Sequence, residues 1–220
     1  MKIIVFGAAQ LAELVIDNVA EDGKWTVEAV TVEEQYIEKT GPVFNGIKVV
    51  PFERIEDEYP ADRYKFIVCV GYVNMNDTRR RVFEQIRAKG YDIVSYIHPS
   101  ATVLTRDIGE GTLIFENAVI GRDAHIGTGN IFYPCSLLAH HSSVGDFNFF
   151  AISSSVAGNV SVGSNCFFGN NSCTKNGISI ADYTLVGAGC YLSGDTQPYD
   201  VYVPARAVRL TDKRSTEINL

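Results

Sequence analysis

The chain has 220 residues, of which 46% are hydrophobic and 20% charged, with a formal net charge of −7. That length holds one large or two small domains with a substantial core. The acidic balance excludes a broad surface for nucleic acid or anionic membranes, and no apolar run reaches the ~18 residues of a membrane span.

Residues 2–6, KIIVF, form an apolar run ending at Gly7. They predict a strand rather than a signal peptide, and with it a cytoplasmic protein. Leu11, Leu14, Val15 and Val19 then recur at helical spacing up to Gly23, a suitable stop. WTVEAVTV reads as a second strand, and GPVFNGIKVVPFERI as turns with a short strand. KFIVCVG (65–71) is a third, buried strand. DTRRRVFEQIRAKG predicts a helix capped by Asp77 and closed by Gly90. YDIVSYI follows as a further strand. This order predicts a small Rossmann-like α/β domain with a mostly parallel sheet over residues 1–98. Ligands of such sheets sit at the carboxyl ends of strands, here near Gly7 and Gly71. The turn GAAQLA keeps only the first glycine of a dinucleotide fingerprint. The helix start behind it suits an anion such as a nucleotide phosphate, and a tight turn without a ligand fits the spacing equally well.

From Ile108 to Leu192 every sixth residue is apolar except Thr174. Four residues after each comes a mostly small one, such as Thr112, Ala118, Ser136, Ser154 or Cys190, and many repeats place Gly directly after the apolar residue. A six-residue period fits neither a helix nor an alternating strand, and it does fit a parallel β-helix. Three hexads closing one triangular coil stack residue i over i+18. Glycine is expected where a corner is crowded or φ is positive. The second domain is thus a β-helix over residues 99–220, ending in a tail with a basic cluster, Arg206, Arg209, Lys213 and Arg214.

The five cysteines have no metal-site spacing. Cys166 and Cys190 fall in the small inward column and Cys69 in a buried strand, whereas Cys135 and Cys173 fall outside both inward columns. His140 and His141 lie two and three residues beyond Leu138, so they are expected to point outward and, as neighbours, to diverge.

The opening strand–Gly–helix unit, the junction YIHPSA (96–101), the hexads and the closing VPAR (203–206) resemble one group of hexapeptide-repeat enzymes. These are the sugar O- or N-acyltransferases related to sialic-acid O-acetyltransferase and the bacillosamine-pathway acetyltransferase. The resemblance implies a left-handed β-helix and a homotrimer with active sites between neighbouring prisms. Acyl-CoA would lie along the coils as co-substrate, with no permanent cofactor and no metal. The N-terminal domain would hold the nucleotide of a nucleotide-sugar at Gly7, Ala8, Gln10 and Gly71. Transfer would pass directly from thioester to a sugar amine or hydroxyl.

Such an attack needs a base, and histidine suits it near neutral pH. In LLAHHSSVGDF, His140 takes the place of the group's base. His141 stands where an acidic residue is usual, and Asp123, eighteen residues earlier, is a candidate for that carboxylate. A second histidine of the group is matched by Phe149, read here as an apolar wall for an acyl chain, and a first-turn histidine by Leu11. Gly169, Gly187 and Ala188 match backbone positions along the CoA path. The expected activity is N-acylation of a nucleotide-linked amino sugar, with His140 and His141 as catalytic candidates. O-acetylation and a non-catalytic nucleotide-sugar-binding trimer remain alternatives. A prism carbonic anhydrase would need three histidines around zinc, which His125, His140 and His141 do not supply by spacing.

Overall fold

A computed structural model of the chain describes residues 1–207 together with Arg209, Thr211, Arg214 and Thr216; Lys213 of the basic cluster lies outside the described residues. The first part is a five-stranded sheet of β1 (Lys2–Phe6), β2 (Thr26–Val32), β3 (Val43–Phe44), β4 (Ile47–Pro51) and β5 (Lys65–Val68). The order is β3-β4-β2-β1-β5, parallel except for the β3–β4 hairpin. Alternation along β1 divides its side chains between two cores. Ile3 and Val5 pack with Leu11, Val15 and Val19 of the helix Gln10–Asp22. Ile4 and Phe6 pack with Val82, Phe83 and Ile86 of the helix Asp77–Ala88. Gly23, at φ 64°, ends the first helix.

Two local expectations change. YDIVSYI is not one strand: Ile93 bridges Phe66 at the sheet edge, while Tyr96–Ile97 pairs with Leu113–Ile114 as the first rung of the hexad region. Ser95 stands at the switch, its hydroxyl bonding Gly109 O and the Thr112 N–H in place of a ladder partner. Asp77 does not cap its helix. Asn76 is the cap residue, at φ 70° and without a side-chain cap bond. The Asp77 carboxylate instead accepts from Asn165 Nδ2 at 2.8 Å and Tyr183 OH at 2.9 Å, both in the hexad region.

The hexads form three parallel sheets of two-residue strands, and from Leu113 to Leu192 each strand pairs with the one eighteen residues on, as Ile131↔Phe149 and Leu137↔Ser155. The inward column, Ile114 through Leu192, makes one continuous core. Inside it the rings of Phe132, Phe150 and Phe168 stack at 4.4 and 4.8 Å. The glycines that follow the inward residues serve close approach between coils rather than positive φ. A Cβ at Gly109 would lie 2.4 Å from the Gly127 carbonyl carbon. The left-handed backbone falls in another column, unbroken every six residues from Gly111 to Gly189, and includes Asn117, Asp123, His141, Asn159, Asn165 and Asn171. Asn, Asp and His are the non-glycine residues most often found there.

The two parts share a core. The outward residues Leu113, Ile131 and Phe149 of one prism face join the Ile3–Val5–Leu11 cluster. On one other face the same outward position holds His125, Ser143, Ser161 and Ser179. Among the described residues no helix is long and apolar enough to cross a membrane.

Candidate active site

The strand Leu137–Leu138 ends at a prism corner made by Ala139, His140 and His141 before the next strand, Ser143–Val144. Both imidazoles are exposed. They do not diverge: their Nδ1 atoms lie 3.1 Å apart, with the rings at 82°. The left-handed backbone at His141, φ 55°, turns its ring back toward His140. Asp123 occupies the same corner position one coil earlier, and its Oδ2 is 3.3 Å from His141 Nε2. Gly158, one coil after His140, lies under the ring; an added Cβ there would stand 2.8 Å from Cε1 and 2.9 Å from Nε2. The corner thus carries a carboxylate, two coupled imidazoles and space for the second ring. This set can pass a proton outward.

A second concavity, of about 340 Å³, opens at the carboxyl ends of β1, β2 and β5. Gly7, Ala8 and Gly71 line it, while Gln10, the exposed first residue of the helix behind it, is not among its lining residues. Gly7 has φ 115°, and its Cβ would meet Cys69 O at 2.6 Å, so only glycine fits. The helix Gln10–Asp22 begins at Ala9 without a side-chain cap, leaving its first N–H groups toward this end of the sheet. Glu33, Lys39 and Arg81 bring charge to the wall. The Arg81 guanidinium, 2.5 Å from Glu33, holds that carboxyl below the usual carboxylate range against the opposing effect of burial. Burial pushes the Cys69 thiol up, so it is no ready nucleophile.

Arg79 joins the concavity to the prism, and nothing in the sequence reading singled it out. It is fully buried, and its guanidinium donates only to carbonyl oxygens: Val70 and Gly71 on one side, Gly129 and Asn148 on the other. Burial pulls it down to about 9, with Arg80 adding to the shift. Arg79, Arg80 and Arg81 follow one another on this helix, and each turns to a different task. Arg80 lies over the Phe147 ring at 4.7 Å.

The remaining candidates separate. Phe149 is 2% exposed and packs against Tyr72, Tyr133 and Phe167. It belongs to the face on which the first domain docks, so it offers no wall to an acyl chain. Leu11 is likewise core. Gly169, Gly187 and Ala188 meet one another at a single edge, where a Cβ on Gly169 would touch Ala188 N at 2.5 Å. That edge lies between Phe167–Phe168 and Cys173–Thr174 and is not the His140 edge, so one chain does not bring the two sets together. His98 bonds locally through Nδ1 to Ser100, and His125 pairs with Asp107 at 2.7 Å. Cys166 is buried in the prism, its thiol pushed up to about 12. Cys135 is exposed and Cys173 partly buried. Among the described residues no three His, Cys, Asp or Glu side chains are grouped so as to hold a metal.

The hexapeptide repeat of succinyl-transferase matches residues 159–193. No curated protein matches the chain in sequence. Solved structures match over nearly its whole length. The acetyltransferase domain of PglB from Neisseria gonorrhoeae is 22% identical with a TM-score of 0.80, covering 91% of this chain and 95% of that one. PerB from Caulobacter crescentus, solved with CoA and GDP-perosamine, is 26% identical with a TM-score of 0.76, covering 94% and 96%. WeeI from Acinetobacter baumannii shares the fold at 20% identity and a TM-score of 0.60, covering 86% and 79%. In repeat and in fold the chain resembles the hexapeptide-repeat sugar acyltransferases.

Proposed function

We propose that the chain is an acyl-CoA-dependent acyltransferase that N-acylates the amino group of a nucleotide-linked amino sugar. The observation that carries this reading is the exposed imidazole pair at the prism corner, with a carboxylate behind it. The likeness to PerB, whose solved complex holds CoA and GDP-perosamine, supplies the substrate class. Residues 1–98 would hold the nucleotide in the concavity at Gly7, Ala8 and Gly71, with Gln10 at its rim. Residues 99–220, a left-handed coil by resemblance, would carry the transfer.

The sugar amine attacks the thioester carbonyl carbon, forming the C–N bond and placing the negative charge on oxygen. His140 takes the proton that the nitrogen sheds. Collapse then breaks the C–S bond, and the departing thiolate takes a proton, so an amide and a free thiol result. No covalent enzyme intermediate is needed, in keeping with thiols at Cys69 and Cys166 that burial pushes up.

His140 and the Gly169–Gly187–Ala188 edge are separate within one chain. We therefore place the acyl-CoA between the His140 corner of one copy and the glycine edge of its neighbour, in a homotrimer acting in the cytoplasm.

Incubation with acetyl-CoA and a panel of nucleotide-linked amino sugars, with free thiol followed, tests the activity. We expect thiol release with at least one amino sugar and a loss of at least about a hundredfold in kcat for His140→Asn. Thermal stabilisation by a nucleotide-sugar without thiol release would favour the binding-only trimer.

A further inference from the structure

We propose that Asp123 and His141 are positioning residues that fix His140 in the tautomer bearing its lone pair on Nε2. The geometry stands by itself; its catalytic consequence rests on the transferase reading. Asp123 and His141 stand at the same prism corner one coil apart, both with left-handed backbone at φ 54° and 55°, so one stacks over the other. The Asp123 carboxylate stands 3.3 Å from Nε2 of His141 as an ion-pair contact; a carboxylate oxygen repels a lone pair facing it, so the charge favours that ring's proton on Nε2. Neutral His141 then has a bare lone pair at Nδ1. Nδ1 of His140, 3.1 Å away, must be the donor to it. The proton of His140 is therefore spoken for on Nδ1, and Nε2 keeps the lone pair that a base needs.

A neutral histidine side chain free in water prefers the reverse, with its proton on Nε2, so the arrangement imposes something the side chain does not choose for itself. The coil spacing explains why two rings are used. Successive coils rise by about 4.8 Å, and a carboxylate one coil back reaches His140 only through an intervening group that accepts on one side and donates on the other. His141 is that group. Gly158 completes the seat, because a side chain there would meet His140 at both Cε1 and Nε2. When Nε2 takes a proton, the resulting cation faces Asp123 through the bridging ring, and no bond other than the new N–H is made.

Nitrogen-15-labelled full-length protein tests this through long-range proton–nitrogen correlations of the ring nitrogens, recorded where both rings are neutral. The expected signature is His140 protonated on Nδ1 and His141 on Nε2. Asp123→Asn should fold, since Asn117, Asn159, Asn165 and Asn171 already occupy that corner column. In that variant, and in His141→Asn, the His140 proton should return toward Nε2. The kcat should fall roughly ten- to a hundredfold with KM little changed. Wild-type His140 protonated on Nε2, or Asp123→Asn with tautomer and kcat unaltered, overturns the proposal. Should no nucleotide-linked amino sugar be acylated while the tautomers respond as described, the transferase reading fails and the proton arrangement stands.

Discussion

Arg79 Nη1 donates to the Gly71 carbonyl at 2.7 Å, so a residue buried under the prism fixes the rim of the concavity at the end of the sheet. The other arms of the same guanidinium reach Gly129 O at 2.9 Å and Asn148 O at 3.1 Å. One planar fork thus spans both domains. Arg79→Lys keeps a cation but loses the fork, and a single ammonium on a flexible stem does not meet acceptors on both sides. We expect a loss of about 2–4 kcal/mol in chemical denaturation, together with weaker nucleotide-sugar binding by calorimetry. Unchanged binding in a folded Arg79→Lys protein would separate the rim from the staple.

Thr174 is the one polar member of the inward column, and its hydroxyl accepts the Ala157 N–H at 2.9 Å. At this rung the ladder registers only Ser155↔Cys173, so the side chain supplies the missing acceptor. Thr174→Val makes the column uniformly apolar and leaves that N–H without its partner. Stability should fall by about 1–3 kcal/mol, whereas Thr174→Ser should cost less. A more stable Thr174→Val protein would show that the hydroxyl is dispensable.

Phe149 tests the docking of the two domains. Phe149→Ala should cost about 3–5 kcal/mol and admit protease between the domains under limited digestion. Its KM for acyl-CoA should change less than its stability. A variant that alters only that KM would return Phe149 to the acyl-CoA site.

Glu33 gives a pH dependence of known sign. Its folded pKa lies below the ordinary 4.5 because of the Arg81 bond. The stabilisation is therefore complete above about pH 4.5 and is lost as pH falls through the lower folded value. Arg81 is about half exposed, so the contribution is at most about 1 kcal/mol. The melting-temperature gap between wild type and Glu33→Gln should be present at neutral pH and close on acidification. A gap that widens in acid would reverse the assignment.

The six-residue frame makes the prism legible in the amino-acid sequence, because inward positions are set by side-chain volume. The corner histidines were legible as outward for the same reason. What escaped depended on the eighteen-residue period. Leu113, Ile131, Phe149, Phe167 and Leu185 stand at successive rungs of one face, while Ser143, Ser161 and Ser179 hold the same place on another. Compared rung by rung, that contrast marks a docking face; taken one residue at a time, Phe149 was read as a ligand wall. Asp77 was misread as a cap, and Arg79 passed over, for a related reason. Their partners, Asn165, Tyr183, Gly129 and Asn148, lie far along the chain, and a helical charge pattern looks the same whether it faces water or another domain. The approach of His140 to His141 depended on a left-handed φ at a residue that is not glycine, in a six-residue column whose residue types, from Asn to Phe and Tyr, do not announce it.

Because every coil spends eighteen residues on one rung, altitude along the column is a matter of counting. Arg79 grips the prism at Gly129 and Asn148, on adjacent coils, and His140 stands between them in sequence, so the two anchoring points bracket the imidazole on the shaft. Coils appended beyond Leu192 would lengthen the shaft without moving either. Fewer residues than one coil separate His140 from Asn148, so no whole coil can be removed from between them. The protein behaves in this respect as a ruler whose zero marks stand on either side of its reading.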